Sequence, residues 1–255
     1  MQTCLNCQRP VIVEGRYCHH CGARIVQRRI TLPSLLAQLS RNIFSIDASI
    51  WHTVSQLFYA PARVCRGYIQ GVRKRYLMPV AYLFFVASLY GLAIVLSKGE
   101  VHYFHEDFAL GFTSASNDAG LEEEEIAKRL RPLALTFVLI SIPLLALISR
   151  LVYWRAGYNY AEHLVVSAYY MGQLLLFNLG FNLVQLAWQG IKESEVFNLI
   201  FFLIFIGYAW WMHIPTFRLR GVWKLISPLL FVLVMLFVLA LTYGLGAELL
   251  LEVGE

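Results

Sequence analysis

The sequence predicts an all-α integral membrane protein: five transmembrane helices, preceded by amphipathic interfacial helices and a small four-cysteine zinc ribbon. Three observations carry that fold class. The 255 residues are 58% hydrophobic and only 15% charged, whereas a soluble domain is about 45–50% apolar and about 25% charged. Long apolar runs fill most of the chain after residue 76. Two Cys-x-x-Cys pairs, Cys4/Cys7 and Cys18/Cys21, stand ten residues apart near the start.

Residues 1–25 form the cysteine head. Residues 1–30 contain no apolar signal segment, so the thiols are expected to stay reduced and to favour a metal over disulfides. Cys4, Cys7, Cys18 and Cys21 are the predicted ligands of a structural Zn²⁺, each pair a tight turn with Gly22 easing the second. So small a head cannot fold on apolar burial, so the metal supplies most of its folding energy. Arg9, Arg16 and Arg24 lie close enough in sequence to offset the negative charge of four thiolates. The rival reading is a thiol redox pair, although such sites use one Cys-x-x-Cys. His19 and His20 read as solvated loop residues or as replacements for a thiolate.

Residues 26–76 are the amphipathic part. A polar hinge with Arg28 and Arg29 leads into Leu32, Leu36, Leu39, Ile43, Ile46, Ile50 and Leu57. Apart from one step that lands on Thr53, their spacing alternates four and three, the mark of one helical face. Ser45 or Asp47 caps a fresh helix, and Pro61 suits the first turn of another. None of these stretches has the roughly 20 apolar residues of a span. They are expected on the inner membrane surface, or packed on themselves as a small soluble subdomain.

The membrane domain, 77–255, holds five predicted spans: 77–96, 132–149, 164–188, 196–214 and 225–247. Each suffices for a hydrocarbon core of about 30 Å, some with tilt. With the N-terminus in the cytoplasm, 16 of the 21 basic residues fall on the inner side and five on the outer. That asymmetry orients the chain with its C-terminus outside. The same asymmetry explains the net charge of +5 without nucleic acid, which is not an expected partner. The outer loop 97–131 is acidic. Glu122–Glu125 reads as the first turn of a short helix, and the loop as a solvated surface or a cation site with His105, Glu106 and Asp107.

Polar residues stand out where lipid should be. Asn178, Asn182, Gln185 and Gln189 step along the third span on the face that Ser167 extends. Such a stripe faces other helices or a wet cavity. Glu162 and His163 open that span at the inner boundary. Adjacent helical residues diverge by about 100 degrees, so acid–base work would need partners such as Asp47, Arg155 or His213. Trp210, Trp211, Tyr153 and Trp154 read as interfacial anchors, and Cys65 as a buried inert thiol or a palmitoylation site. The basic corner Arg73-Lys74-Arg75-Tyr76 reads as topology control or as a phosphate contact for anionic lipid.

The Cys-x-x-Cys pairs, Arg29-Ile30-Thr31, Asp47, Thr53, Pro61, the run Tyr68–Tyr76 and Pro79 together resemble a bacterial membrane family of unknown function, DUF 3667. Glu162-His163-Leu164 matches a later motif of that family. Three positions depart from its pattern. Gln8 stands where the first knuckle usually has Gly, Ala62 where Pro-Gly is usual, and Gln70 where Glu is typical. The resemblance implies this topology, in a bacterial inner membrane, and supplies no activity.

No catalytic constellation is legible, and enzymic activity is not the favoured expectation. The leading expectation is a membrane-anchored adaptor whose cytoplasmic zinc ribbon docks a protein partner. The alternatives are a lipid or small-solute transporter using the third span, and an enzyme acting on lipid headgroups from the inner face.

Overall fold

The computed structural model describes residues 2–11, 17–25, 29–35, 49–97, 134–188 and 195–253. Strands β1 (Gln2–Thr3) and β2 (Pro10–Val11) pair antiparallel in the head. Helices α1 (Ser49–Tyr59) and α2 (Pro61–Gln70) follow. The apolar helices are α3 (Pro79–Leu96), α4 (Ala134–Val152), α5 (Tyr160–Ala187), α6 (Glu195–Phe217) and α7 (Trp223–Val253). The expected helix around Ser45 and Asp47, Arg16, Arg28, the acidic loop and Gln189 lie outside the described residues.

Among the described residues, three helices are long and apolar enough to cross a membrane: Pro79–Leu96, Tyr160–Ala187 and the Leu199–Phe217 stretch of α6. The apolar stretches Val138–Val152 of α4 and Trp223–Val238 of α7 are shorter. All five predicted apolar segments are therefore helical, but length and composition establish only three spans where five were expected. The predicted stop at Pro215 is also corrected, because α6 runs on to Phe217. A proline there removes only its own bond to the preceding turn.

Helix α5 is the axle of the bundle. It packs against α2, α3, α4 and α6, and 72% of its apolar window is buried. Its start is fixed by a capping box: Asn159 Oδ1 accepts from the Glu162 amide, and the Glu162 carboxylate accepts from the Asn159 amide. Against α3 the approach is close enough to require Gly172, where a Cβ would lie 2.7 Å from the Tyr82 ring.

The amphipathic helices turn their apolar stripes to the bundle. Leu57, Val64, Cys65, Tyr68 and Ile69 belong to one core cluster with residues of α5 and α6. The Tyr208 hydroxyl donates to Leu57 O at 3.1 Å. Between α2 and α3, Tyr76, Leu77 and Met78 are buried but not helical, so their backbone polar groups need side-chain partners. The Leu77 amide donates to Thr53 Oγ1 at 2.8 Å, and Leu77 O accepts from the Tyr169 hydroxyl at 2.5 Å. Thr53, the step that broke the apolar pattern, is fully buried for this reason.

Candidate metal centre and its seat on the bundle

The four ligand cysteines come together. Their Sγ atoms all lie within 4.8 Å of one another, with Cys4–Cys21 and Cys7–Cys18 each at 3.7 Å. A tetrahedron with metal–sulfur bonds of about 2.3 Å has edges of about 3.8 Å, so the set fits a four-coordinate ion. All five cysteines are free thiols. Both knuckles share one backbone design. The Gln8 amide returns to Cys4 O and the Gly22 amide to Cys18 O, each at 2.8 Å. The turns close with φ of 60° at Gln8 and 65° at Gly22. The left-handed conformation explains why glycine suits this position, and Gln8 holds it at a cost.

Crowding separates the thiols electrostatically. The Cys21 thiol is drawn down to about 6, chiefly by the Ala23 amide and then by Asn6 and its thiol neighbours. At Cys7 the Arg9 amide pulls down, but burial and the three neighbouring thiols together push it up to about 11. His19 and His20 are exposed, with ring centroids 4.1 Å apart, and lie outside the thiol group.

The head is fastened to the bundle at two points. Lys74 Nζ donates to Cys21 O in the second knuckle. Just past the head, Arg29 Nε and Nη2 donate to Glu162 Oε1 and Oε2 at 3.0 and 2.5 Å. Arg29 Nη2 also reaches Gly157 O, and Asn159 Nδ2 donates to Ile30 O, both at 2.9 Å. This is the single ion pair among the described residues, with the Arg29 side chain 62% exposed and that of Glu162 3%. The hydrogen bonds and charge of Glu162 hold the Arg29 guanidinium above the usual arginine range, against a smaller opposing effect of burial.

The basic corner is partly committed to the protein. Lys74 serves the head, Arg75 Nε donates to His52 Nε2 at 3.1 Å, and buried Tyr76 stacks on His52. Arg73 lies over the Tyr68 ring, 5.9 Å from its centroid. Burial draws its guanidinium down, with Tyr68 opposing.

The amide stripe is bonded at Asn178 and Asn182, whereas the buried Ser167 hydroxyl has no partner among the described residues. The Tyr90 hydroxyl donates to Asn178 Oδ1, and Asn182 Nδ2 donates to the Tyr90 oxygen at 3.2 Å and to Asn178 O at 2.9 Å. The Tyr82 hydroxyl donates to Gln173 Oε1 at 2.6 Å. Gln185 is half-buried. The bonds through Tyr90 and Tyr82 join α3 to α5, whereas the Asn182–Asn178 bond lies within α5, and the partner tyrosines carry no sequence signal of their own.

Glu162 and His163 part company. Glu162 holds the cap and Arg29, whereas His163 Nδ1 pairs with Ser149 Oγ at 2.8 Å and its ring stacks on Phe217 at 5.1 Å. His213 reaches the other end of that cluster, 5.8 Å from Phe217 and 5.0 Å from Tyr170. Arg155 instead lies over Trp154 and Trp223, and Asp47 is outside the described residues. Arg29 was the residue missed; its nearest signal was the Arg29-Ile30-Thr31 motif.

Residues 47–91 match the model of a family described as a protein of unknown function (DUF3667). That segment contains α1, α2, the Thr53-bonded linker and most of α3. No curated protein and no solved structure matches the chain.

Proposed function

We propose that this chain is a membrane-anchored adaptor: a zinc-stapled head, held rigidly on a five-span bundle, presents a docking face to a cytoplasmic protein. The observation that carries this reading is the seating of the thiol head. It is tied down through Lys74, and the chain beyond it through Arg29, while Leu5 and Tyr17 on its surface stay 55% and 62% exposed. An apolar side chain held on a rigid knuckle suits recognition, because little conformational freedom is lost on binding. Zinc suits four clustered thiolates in a reducing compartment better than harder ions. The charge asymmetry supports a cytoplasmic head, and in this reading α4 and α7 make up the five crossings. The family resemblance points to a bacterial inner membrane.

The test is in-cell photo-crosslinking from a probe placed at exposed His19, on the same head as Leu5 and Tyr17. The adaptor reading expects one discrete adduct, lost in Leu5→Asp/Tyr17→Asp while metal content and membrane insertion persist. Capture that is unchanged in that variant, or a partner pull-down that is unchanged by deletion of residues 1–25, overturns it.

A further inference from the structure

A groove of about 600 Å³ opens between the start of α2 and the end of α6. It falls in the size range of small-molecule sites. One wall carries Arg63 and Arg66, three residues apart and so on one helical face. Neither has an ion-pair partner among the described residues. The other wall carries Trp210 and Trp211, and the floor includes Gly207. A Cβ at Gly207 would meet nothing within 4 Å, so the floor is open space.

The surroundings identify the occupant. From Gly207 back along α6, Leu203, Ile204, Ile200 and Val196 are all exposed. They follow the three-and-four spacing of one helical face. Eleven residues at 1.5 Å rise make a lane of about 16 Å, close to half of a hydrocarbon core of about 30 Å. A basic mouth with indoles at its rim, above an apolar lane one leaflet deep, has the pattern of a phospholipid. Guanidinium forks match phosphate oxygens, and tryptophans favour the headgroup layer. We propose that this groove holds one anionic phospholipid, its phosphate between Arg63 and Arg66 and an acyl chain along α6. The inference rests on α6 being a span, not on the adaptor reading.

Native mass spectrometry of the purified full chain tests it, with phosphatidylglycerol, phosphatidylcholine and inorganic phosphate as probes. The expected result is one retained phosphatidylglycerol per chain, at least tenfold preferred over phosphatidylcholine. Arg63→Gln/Arg66→Gln should lose roughly tenfold or more in affinity, since each cation adds substantially at a lipid surface. Gly207→Leu should block the lipid sterically with both arginines in place. Metal content and helicity should stay unchanged in both variants, because the altered side chains line open space. Equal retention of phosphatidylcholine overturns the proposal, as does unchanged retention in either variant. Displacement of the lipid by millimolar inorganic phosphate would instead mark a site for a soluble anion, and also overturns it. The adaptor crosslink is read separately, so either idea can fail alone.

Discussion

Removing the Arg29 side chain should loosen the seat of the head without unfolding the bundle. The magnitude follows from the asymmetry of the pair. Arg29 is 62% exposed, so its Coulombic share is screened towards the surface value of about 0–1 kcal/mol. Glu162 is 3% exposed, and hydrogen bonds to a buried charged group are worth about 1.5–3 kcal/mol. In Arg29→Gln the carboxylate keeps only the Asn159 amide, at 2.8 Å. A loss of about 2 kcal/mol results, or about 30-fold in local opening. Hydrogen exchange at residues 29–35 and 160–163 reads that opening directly. Glu162→Gln should lose less, because a neutral amide still accepts from Asn159, and the double variant should show coupling of about 1 kcal/mol. Coupling under about 0.3 kcal/mol, with exchange at Ile30 unchanged, would refute the clamp.

Four further outcomes follow from the same contacts. Thr53→Val strands the buried Leu77 amide and should cost about 1–3 kcal/mol in a detergent melt, with Thr53→Ser restoring most of it. Gly172→Ala drives a methyl against Tyr82 and should cost about 1–3 kcal/mol on the same melt. Gln8→Gly relieves a left-handed residue and should raise the head's resistance to chelators by about 1 kcal/mol. Metal affinity should fall as pH falls, by about tenfold per pH unit for each thiol proton displaced. The sign is set by Cys7, protonated at neutral pH with its thiol at about 11, whereas Cys21 at about 6 is already largely ionised. A chelator competition that is flat between about pH 6 and about pH 8 would contradict that ordering.

Local patterns were legible; long-range partners were not. Cysteine spacing alone gives the four-thiol set, because two tight turns leave the sulfurs little choice of neighbour. Each apolar run became a helix, with ends shifted by a few residues. The early start of α5 was written in Asn159-Tyr160-Ala161-Glu162, a capping box overlooked beneath the stronger apolar signal. Asn178 and Asn182 of the amide stripe are buried, but nothing in the chain marks Tyr90 as their partner. Arg29 and Glu162 meet across 133 residues, a distance at which periodicity carries no information. Thr53 looked like a flaw in an apolar stripe and is instead the acceptor that a buried, non-helical backbone needs.

Elemental analysis of the purified full-length chain tests the central claim most directly. One zinc ion per chain is predicted, lost in Cys4→Ser while the bundle still inserts. A metal-free chain with its thiols joined as disulfides would contradict it.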